Sequence, residues 1–179
     1  MGFRIKTAIA TLAVAASTTI LSAASLEQFL GTFEACKASE TFQDYADRLG
    51  SHFANPCCEP GAAAADPGVT ITPPAEIATA AGKPVSTNHG EYTEVSLPIT
   101  GTYGGIPVGL LAFSFGNENG IFAARLQFDA PRAIVQDRFG AAVQAADAAG
   151  SAAWETEGYG YSAQIPDGEP GAIVCDWSV

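Results

Sequence analysis

The chain has 179 residues, 47% of them hydrophobic, and 19 Asp and Glu against 8 Lys and Arg give it a formal net charge of −11. This length suits one domain with a real core, and the negative charge makes nucleic acid and anionic lipid surfaces poor partners, because both are negatively charged themselves. A cationic protein or ligand is compatible with the charge, as is an acidity that serves only solubility.

The first 24 residues have the pattern of a secretory signal peptide. Arg4 and Lys6 form a positive start, an apolar run follows over 7–21, and small residues then lead up to Ala24. The run is short for a membrane-spanning helix. We therefore predict cleavage after Ala24 and an exported protein, periplasmic or secreted, with a single domain over 25–179. An uncleaved N-terminal anchor is the alternative. Cleavage would remove Arg4 and Lys6 and so take the net charge from −11 to −13.

Two short helices are predicted at the start of the domain, as a pair or as one kinked helix. Ser25 and Gln28 form a capping box, and a second helix is predicted between Thr41 as its cap and Gly50 as its stop. Each helix has apolar residues at helical spacing. The first stripe is Leu26, Phe29, Leu30, Phe33 and Cys36, and the second is Phe42, Tyr45, Ala46 and Leu49.

A proline- and alanine-rich stretch over about 51–90 is predicted to be a long loop or covering arm. It contains a possible short strand at 68–72 and a possible short helix at 73–82.

A three-stranded meander is predicted from residue 91 onward. The segment 92–100 alternates apolar and polar residues, but Pro98 predicts either an edge strand or a bulge. The nearly apolar 106–115 is typical of a central strand, and 121–129 alternates again after a hairpin loop that contains Asn-Gly.

A helix and two strands are predicted to complete the domain. The helix has Asp129 as its cap, Pro131 in its first turn and Gly150 as its stop, and the strands lie near 153–165 and 172–178. The predicted fold class is therefore α+β: an N-terminal helical pair, then an antiparallel sheet of about five strands in β-β-β-α-β-β order with helices packed on one face.

The four cysteines are Cys36, Cys57, Cys58 and Cys175. An even number in an exported chain favours disulfides, and adjacent cysteines bond each other poorly. We therefore predict two disulfides, each joining one member of the Cys57–Cys58 pair to Cys36 or Cys175. A zinc site that also uses His52, or a redox centre, is less favoured because the chain has no C-x-x-C spacing.

Sequence patterns for catalysis are weak, and we predict no catalytic residues, no metal and no cofactor. His89, Glu91 and Glu94 are close in sequence, but the two glutamates would face opposite ways in a strand. Glu155 and Glu157 would share a strand face, as paired carboxylates of a glycosidase could, although acidic residues that alternate on a solvated strand face are far commoner. Asn117, Glu118 and Asn119 offer oxygen atoms without the spacing of a calcium loop.

Tyrosines beside glycines are the strongest indication of function. Tyr103 precedes two glycines in a predicted turn, and Tyr159 and Tyr161 alternate with glycines in "GYGY". Tyrosine on adaptable backbone is common in recognition surfaces, and tyrosines that cap the sheet edge or pack under the helix are an equal alternative. We therefore predict a non-enzymatic exported module that binds a protein or small ligand, with a cationic protein among the candidates, through these three residues. The alternative is a small exported hydrolase or thiol-redox enzyme.

Overall fold

The computed structural model describes residues 24–54, 70–117 and 120–178. Its elements in chain order are α1 (Glu27–Leu30), a 3-10 turn (Phe33–Ala35), α2 (Glu40–Phe53), a second 3-10 turn (Ala75–Ile77), β1 (Val85–Asn88), β2 (Tyr92–Tyr103), β3 (Ile106–Gly116), β4 (Phe122–Phe128), α3 (Arg132–Glu157), β5 (Ser162–Gln164) and β6 (Ala172–Asp176). No helix within these residues is long and apolar enough to cross a membrane. Nearly all of the predicted signal, Cys57, Cys58, Glu118 and Asn119 lie outside the described residues.

The described strands form one six-stranded antiparallel sheet in the order β1-β2-β3-β4-β6-β5. This confirms the predicted α+β class and places β3 in the interior, as its apolar sequence indicates. The strand beyond the predicted five is β1, whose first residue, Val85, is 60% exposed. None of its four residues is buried, so this segment has no alternation of apolar and polar residues. The sequence therefore predicts only a loop here.

Pro98 lies in β2 at the predicted bulge. The register of β2 against β3 shifts between Pro98 and Gly101, which confirms a bulge at this point. Proline has no N–H to give to a neighbouring strand, yet its carbonyl accepts the N–H of Gly82 at 2.7 Å. β1 pairs with β2 only over residues 93–96. Beyond that, at Pro98, the chain just before β1 covers the edge of β2 instead.

The helices pack on one face of the sheet, as predicted. On β3, Phe113 contacts Phe42 of α2 with 5.3 Å between ring centroids, and on β4, Phe128 contacts Phe139 of α3 at 5.6 Å. Phe113 pairs across the strands with Ala124, and Ala124 lies on the same side of β4 as Phe128. Both helices therefore cover the same side and share one core.

The apolar stripes of the first two helices are buried as predicted, but their starting points differ. Ser25 is not a helix cap: it forms a parallel bridge with Thr102, and α1 is a single turn that begins after Leu26. The cap of α2 is Ser39 rather than Thr41, since the Ser39 hydroxyl accepts the N–H of Phe42 at 3.1 Å.

Gly50 and Gly150 were predicted to stop helices, and both predictions are wrong. Each glycine lies within its helix at a point where another segment comes close. A Cβ at Gly50 would lie 3.0 Å from the Phe115 ring, and a Cβ at Gly150 would overlap the carbonyl oxygen of Tyr161. As a result α3 runs for 26 residues and includes 153–157, which the alternation of polar residues had assigned to a strand. Its end is Gly158 in the left-handed conformation, with φ of 75°.

Candidate functional site

A cleft lies between the last two turns of α3 and the chain that enters β5. Its volume is about 420 Å³. The described residues that line it are Gly150, Ser151, Trp154 and Glu155 of α3, Gly160, Tyr161 and Ser162 on the opposite side, and Asp176 and Ser178 at the end of β6. The cleft therefore collects residues from the "GYGY" segment, the end of α3 and the C-terminal strand.

Two glycines bring the sides of this cleft together. A Cβ at Gly160 would lie 2.5 Å from the carbonyl oxygen of Gly150 and 3.1 Å from Cβ of Trp154. Further along, Asp147 of α3 accepts the N–H of Ala163 at 3.2 Å. Gly160 thus serves close backbone packing against α3, and this packing fixes Tyr161 relative to Trp154, whereas Gly158 ends the helix.

The aromatic part of the cleft consists of Trp154 and Tyr161. Trp154 is 55% exposed although it is large and apolar, whereas Tyr161 is half-buried and packs against the core. Tyr159 is 60% exposed beside the cleft. The Glu157 carboxylate, which accepts a hydrogen bond from the Tyr159 hydroxyl, raises the pKa of that hydroxyl. The "GYGY" pattern contains two residues of this cleft, Gly160 and Tyr161, but Trp154 was missed because its segment was predicted to be a strand.

The charge of the cleft is negative. Glu155 and Asp176 are the charged residues among those described in its lining, and none of the described lining residues is basic. Asp176 also accepts the N–H of Ser178 at 2.9 Å, which orients its carboxylate. The C-terminal end of α3 adds the partial negative charge of its last carbonyl groups. Exposed aromatic rings beside carboxylates suit a cationic group, which both of them attract.

Tyr103 does not belong to a recognition surface, and that prediction is wrong. The residue is 3% exposed, and its ring stacks on Phe139 at 5.5 Å. Its hydroxyl accepts the N–H of Phe33 at 2.7 Å and lies within hydrogen-bonding distance of the Gly31 carbonyl and the Glu34 carboxylate. Burial, followed by the hydrogen bond and charge of Glu34, raises the pKa of Tyr103 well above its usual range. The tyrosine therefore joins the N-terminal segment to β2.

The predicted pairing of the cysteines is also wrong. Cys36 forms a disulfide with Cys175 across 139 positions of sequence, with 5.5 Å between the Cα atoms. Cys36 ends the first 3-10 turn in the left-handed conformation, which places it beside β6, and its carbonyl accepts the Trp177 indole N–H at 3.2 Å. This bond leaves neither Cys36 nor Cys175 for Cys57 or Cys58, which lie outside the described residues.

The other residues considered for catalysis have structural contacts. The His89 ring stacks on Tyr92 at 4.7 Å, and Glu94 accepts a hydrogen bond from Ser96 at 3.2 Å. The side-chain oxygen of Asn117 accepts a hydrogen bond from the Thr93 hydroxyl at 3.1 Å. His52 lies against Phe53 at the end of α2.

Glu155 and Glu157 lie on α3 and not on a strand, so the predicted shared strand face does not exist. Over residues 24–54, 70–117 and 120–178, no three His, Cys, Asp or Glu residues are grouped so that they could hold a metal ion.

Comparisons with protein-family models, with curated proteins and with solved structures found no match to this chain.

Proposed function

We propose that the chain is an exported, non-enzymatic binding module that recognises a cationic protein through the cleft at the end of α3. The observation that carries this proposal is the combination of Trp154 and Tyr161 with Glu155 and Asp176 in one cleft whose described lining has no basic residue. Tyr159, exposed beside it, extends the same surface.

A lysine or arginine side chain is the group of the partner that this cleft suits best. Its aliphatic stem can lie along the exposed Trp154 ring while its charged end approaches Glu155 or Asp176. A cation over an aromatic ring at an exposed site contributes about 0.5–1 kcal/mol. The overall negative charge of the chain attracts a basic partner over a longer range and speeds the encounter.

Export is supported by two features. The first 24 residues have the signal pattern described above, and disulfides such as Cys36–Cys175 persist chiefly in oxidising compartments. The same disulfide gives no support to the thiol-redox alternative, because Cys36 is 5% exposed and Cys175 is fully buried, so that an attacking thiolate has little access to either sulfur.

The proposal is tested by titrating the protein calorimetrically with a short peptide in which lysine alternates with glycine. The control ligand is the same peptide with every lysine acetylated, which removes the charges and keeps the length. We expect binding of the lysine peptide and none of the acetylated one. We also expect the double variant Glu155→Gln/Asp176→Asn to lose about tenfold in affinity, since exposed ion pairs contribute up to about 1 kcal/mol each.

A matched control separates the cleft from general electrostatics. Asp44→Asn/Asp137→Asn removes the same number of charges from exposed positions away from the cleft, and it should leave the affinity within about twofold. Equal losses in the two double variants would show that the peptide senses only net charge. No binding of the lysine peptide would contradict the proposal altogether.

A further inference from the structure

A second pocket, separate from the cleft, lies between α2 and the end of the sheet. Its volume is about 300 Å³, at the lower end of the range for small-molecule sites. The described residues that line it are Phe42, Gln43, Asp47, Phe122, Trp177, Cys36 and Ala38. Five of these seven residues are apolar, three of them aromatic, and the two polar residues, Gln43 and Asp47, lie at the mouth; apolar walls with a few polar groups are the usual composition of a ligand site.

The aromatic floor of the pocket is held rigidly. Phe122 and Trp177 stack with 5.3 Å between their centroids and 23° between their planes, and the backbone N–H of Trp177 donates to Phe122 at 2.8 Å. The Trp177 indole N–H donates to the carbonyl of Cys36, whose position is fixed by the disulfide to Cys175. Because the polar atom of Trp177 is already bonded, the surface that it presents to a ligand is apolar and planar.

The mouth of the pocket carries one negative charge. Gln43 and Asp47 are exposed, lie four residues apart on α2 and therefore share one side of that helix. The Gln43 amide donates to the Ala38 carbonyl at 3.2 Å. Arg48 does not cover the pocket: its guanidinium lies 5.3 Å from the Tyr45 ring and donates to the Thr72 carbonyl at 3.4 Å. Asp47 is thus the charged residue among those described in the lining.

We propose that this pocket binds a small aryl-alkylammonium, that is, one aromatic ring carrying a protonated amine on a short chain. The ligand ring packs against the part of the stacked Phe122–Trp177 pair that lines the pocket, and the ammonium approaches the Asp47 carboxylate at the mouth. The volume accommodates a single ring with its side chain. This inference rests on a different pocket and does not depend on the proposed function of the cleft.

The two tryptophans of the chain allow the pocket to be observed directly. Trp154 lines the cleft and Trp177 lines the pocket, so the full-length variant Trp154→Phe reports only on the pocket through its fluorescence. We would titrate this variant with phenethylamine, phenethyl alcohol and phenylpropionate, which share the ring and differ in charge. We expect a saturable change in Trp177 emission with the amine, roughly tenfold weaker binding of the alcohol, and weaker binding still of the carboxylate.

Asp47→Asn in the same background should lower the affinity for the amine to that for the alcohol, and it should leave the alcohol unchanged. Asp44→Asn, one turn away and exposed on the same helix, is the control and should change neither. The proposal would be overturned by the absence of any saturable change, by equal affinities for the three probes, or by equal effects of the two asparagine variants.

Discussion

Replacing Tyr103 by phenylalanine removes one buried oxygen atom and keeps the ring that stacks on Phe139. The hydroxyl accepts the N–H of Phe33 and lies within hydrogen-bonding distance of Gly31 and Glu34, so its removal leaves a buried N–H without that partner. An unsatisfied buried donor costs about 1–3 kcal/mol. Adding the lost contact with Glu34, we expect the free energy of unfolding to fall by about 2–3 kcal/mol.

Urea denaturation followed by circular dichroism measures this loss. With a urea m-value of about 2 kcal/mol/M, the midpoint should fall by about 1 M while the m-value is unchanged.

Tyr45→Phe is the matched control. Tyr45 is also fully buried, but among the described residues its hydroxyl has no hydrogen-bond partner. Removing that oxygen should leave stability unchanged or raise it by about 1 kcal/mol. Equal destabilisation by the two variants, or a greater loss from Tyr45→Phe, would refute the reasoning, because both changes remove the same atom and only its hydrogen bonds differ.

Three further predictions concern Tyr103, Gly150 and the disulfide. Because burial and Glu34 raise the pKa of Tyr103, its contribution to stability is complete below the ordinary tyrosine pKa of about 10 and declines above it; stability measured against pH should therefore fall more steeply in the wild type than in Tyr103→Phe. Gly150→Ala should lower the free energy of unfolding by about 1–3 kcal/mol, since the new Cβ meets the Tyr161 carbonyl; an unchanged urea midpoint would contradict the close packing. Non-reducing peptide mapping should recover a peptide pair joined through Cys36 and Cys175, and Cys36→Ser should cost about 2–5 kcal/mol; a pair joining Cys36 to Cys57 or Cys58 would contradict the structure.

Periodicity predicted the parts of the fold in which burial repeats along the chain. Phe42, Tyr45, Ala46 and Leu49 are all buried on one side of α2, and the apolar β3 lies within the sheet. In these segments the pattern of apolar residues is itself the consequence of packing against one face. β1 was missed for the same reason, because an exposed edge strand carries no such pattern.

The errors at Gly50 and Gly150 arise because glycine has two uses. It stops helices by adopting positive φ, and it also allows another segment to approach closely. Sequence alone does not distinguish the two uses, because the approaching groups, the Phe115 ring and the Tyr161 carbonyl, come close to these glycines only in the folded chain.

Tyr103 and the cysteines show why site residues were harder to predict than elements. The two glycines after Tyr103 do form a turn, but the tyrosine side chain points into the core and bonds the N-terminal segment. The cysteine prediction assumed that all four residues form two disulfides within the chain. The fold instead places Cys36 directly beside Cys175, and no local pattern records such a tertiary contact.

The central claim, that the cleft at the end of α3 binds a cationic side chain, is tested most directly by the fluorescence of Trp154. In the variant Trp177→Phe, Trp154 is the remaining tryptophan, and it lines the cleft. We predict that the lysine peptide changes its emission saturably, that the acetylated peptide does not, and that in Trp154→Phe the same peptide leaves Trp177 emission unchanged. Unchanged Trp154 emission under conditions in which calorimetry detects binding would place the peptide elsewhere and contradict the account.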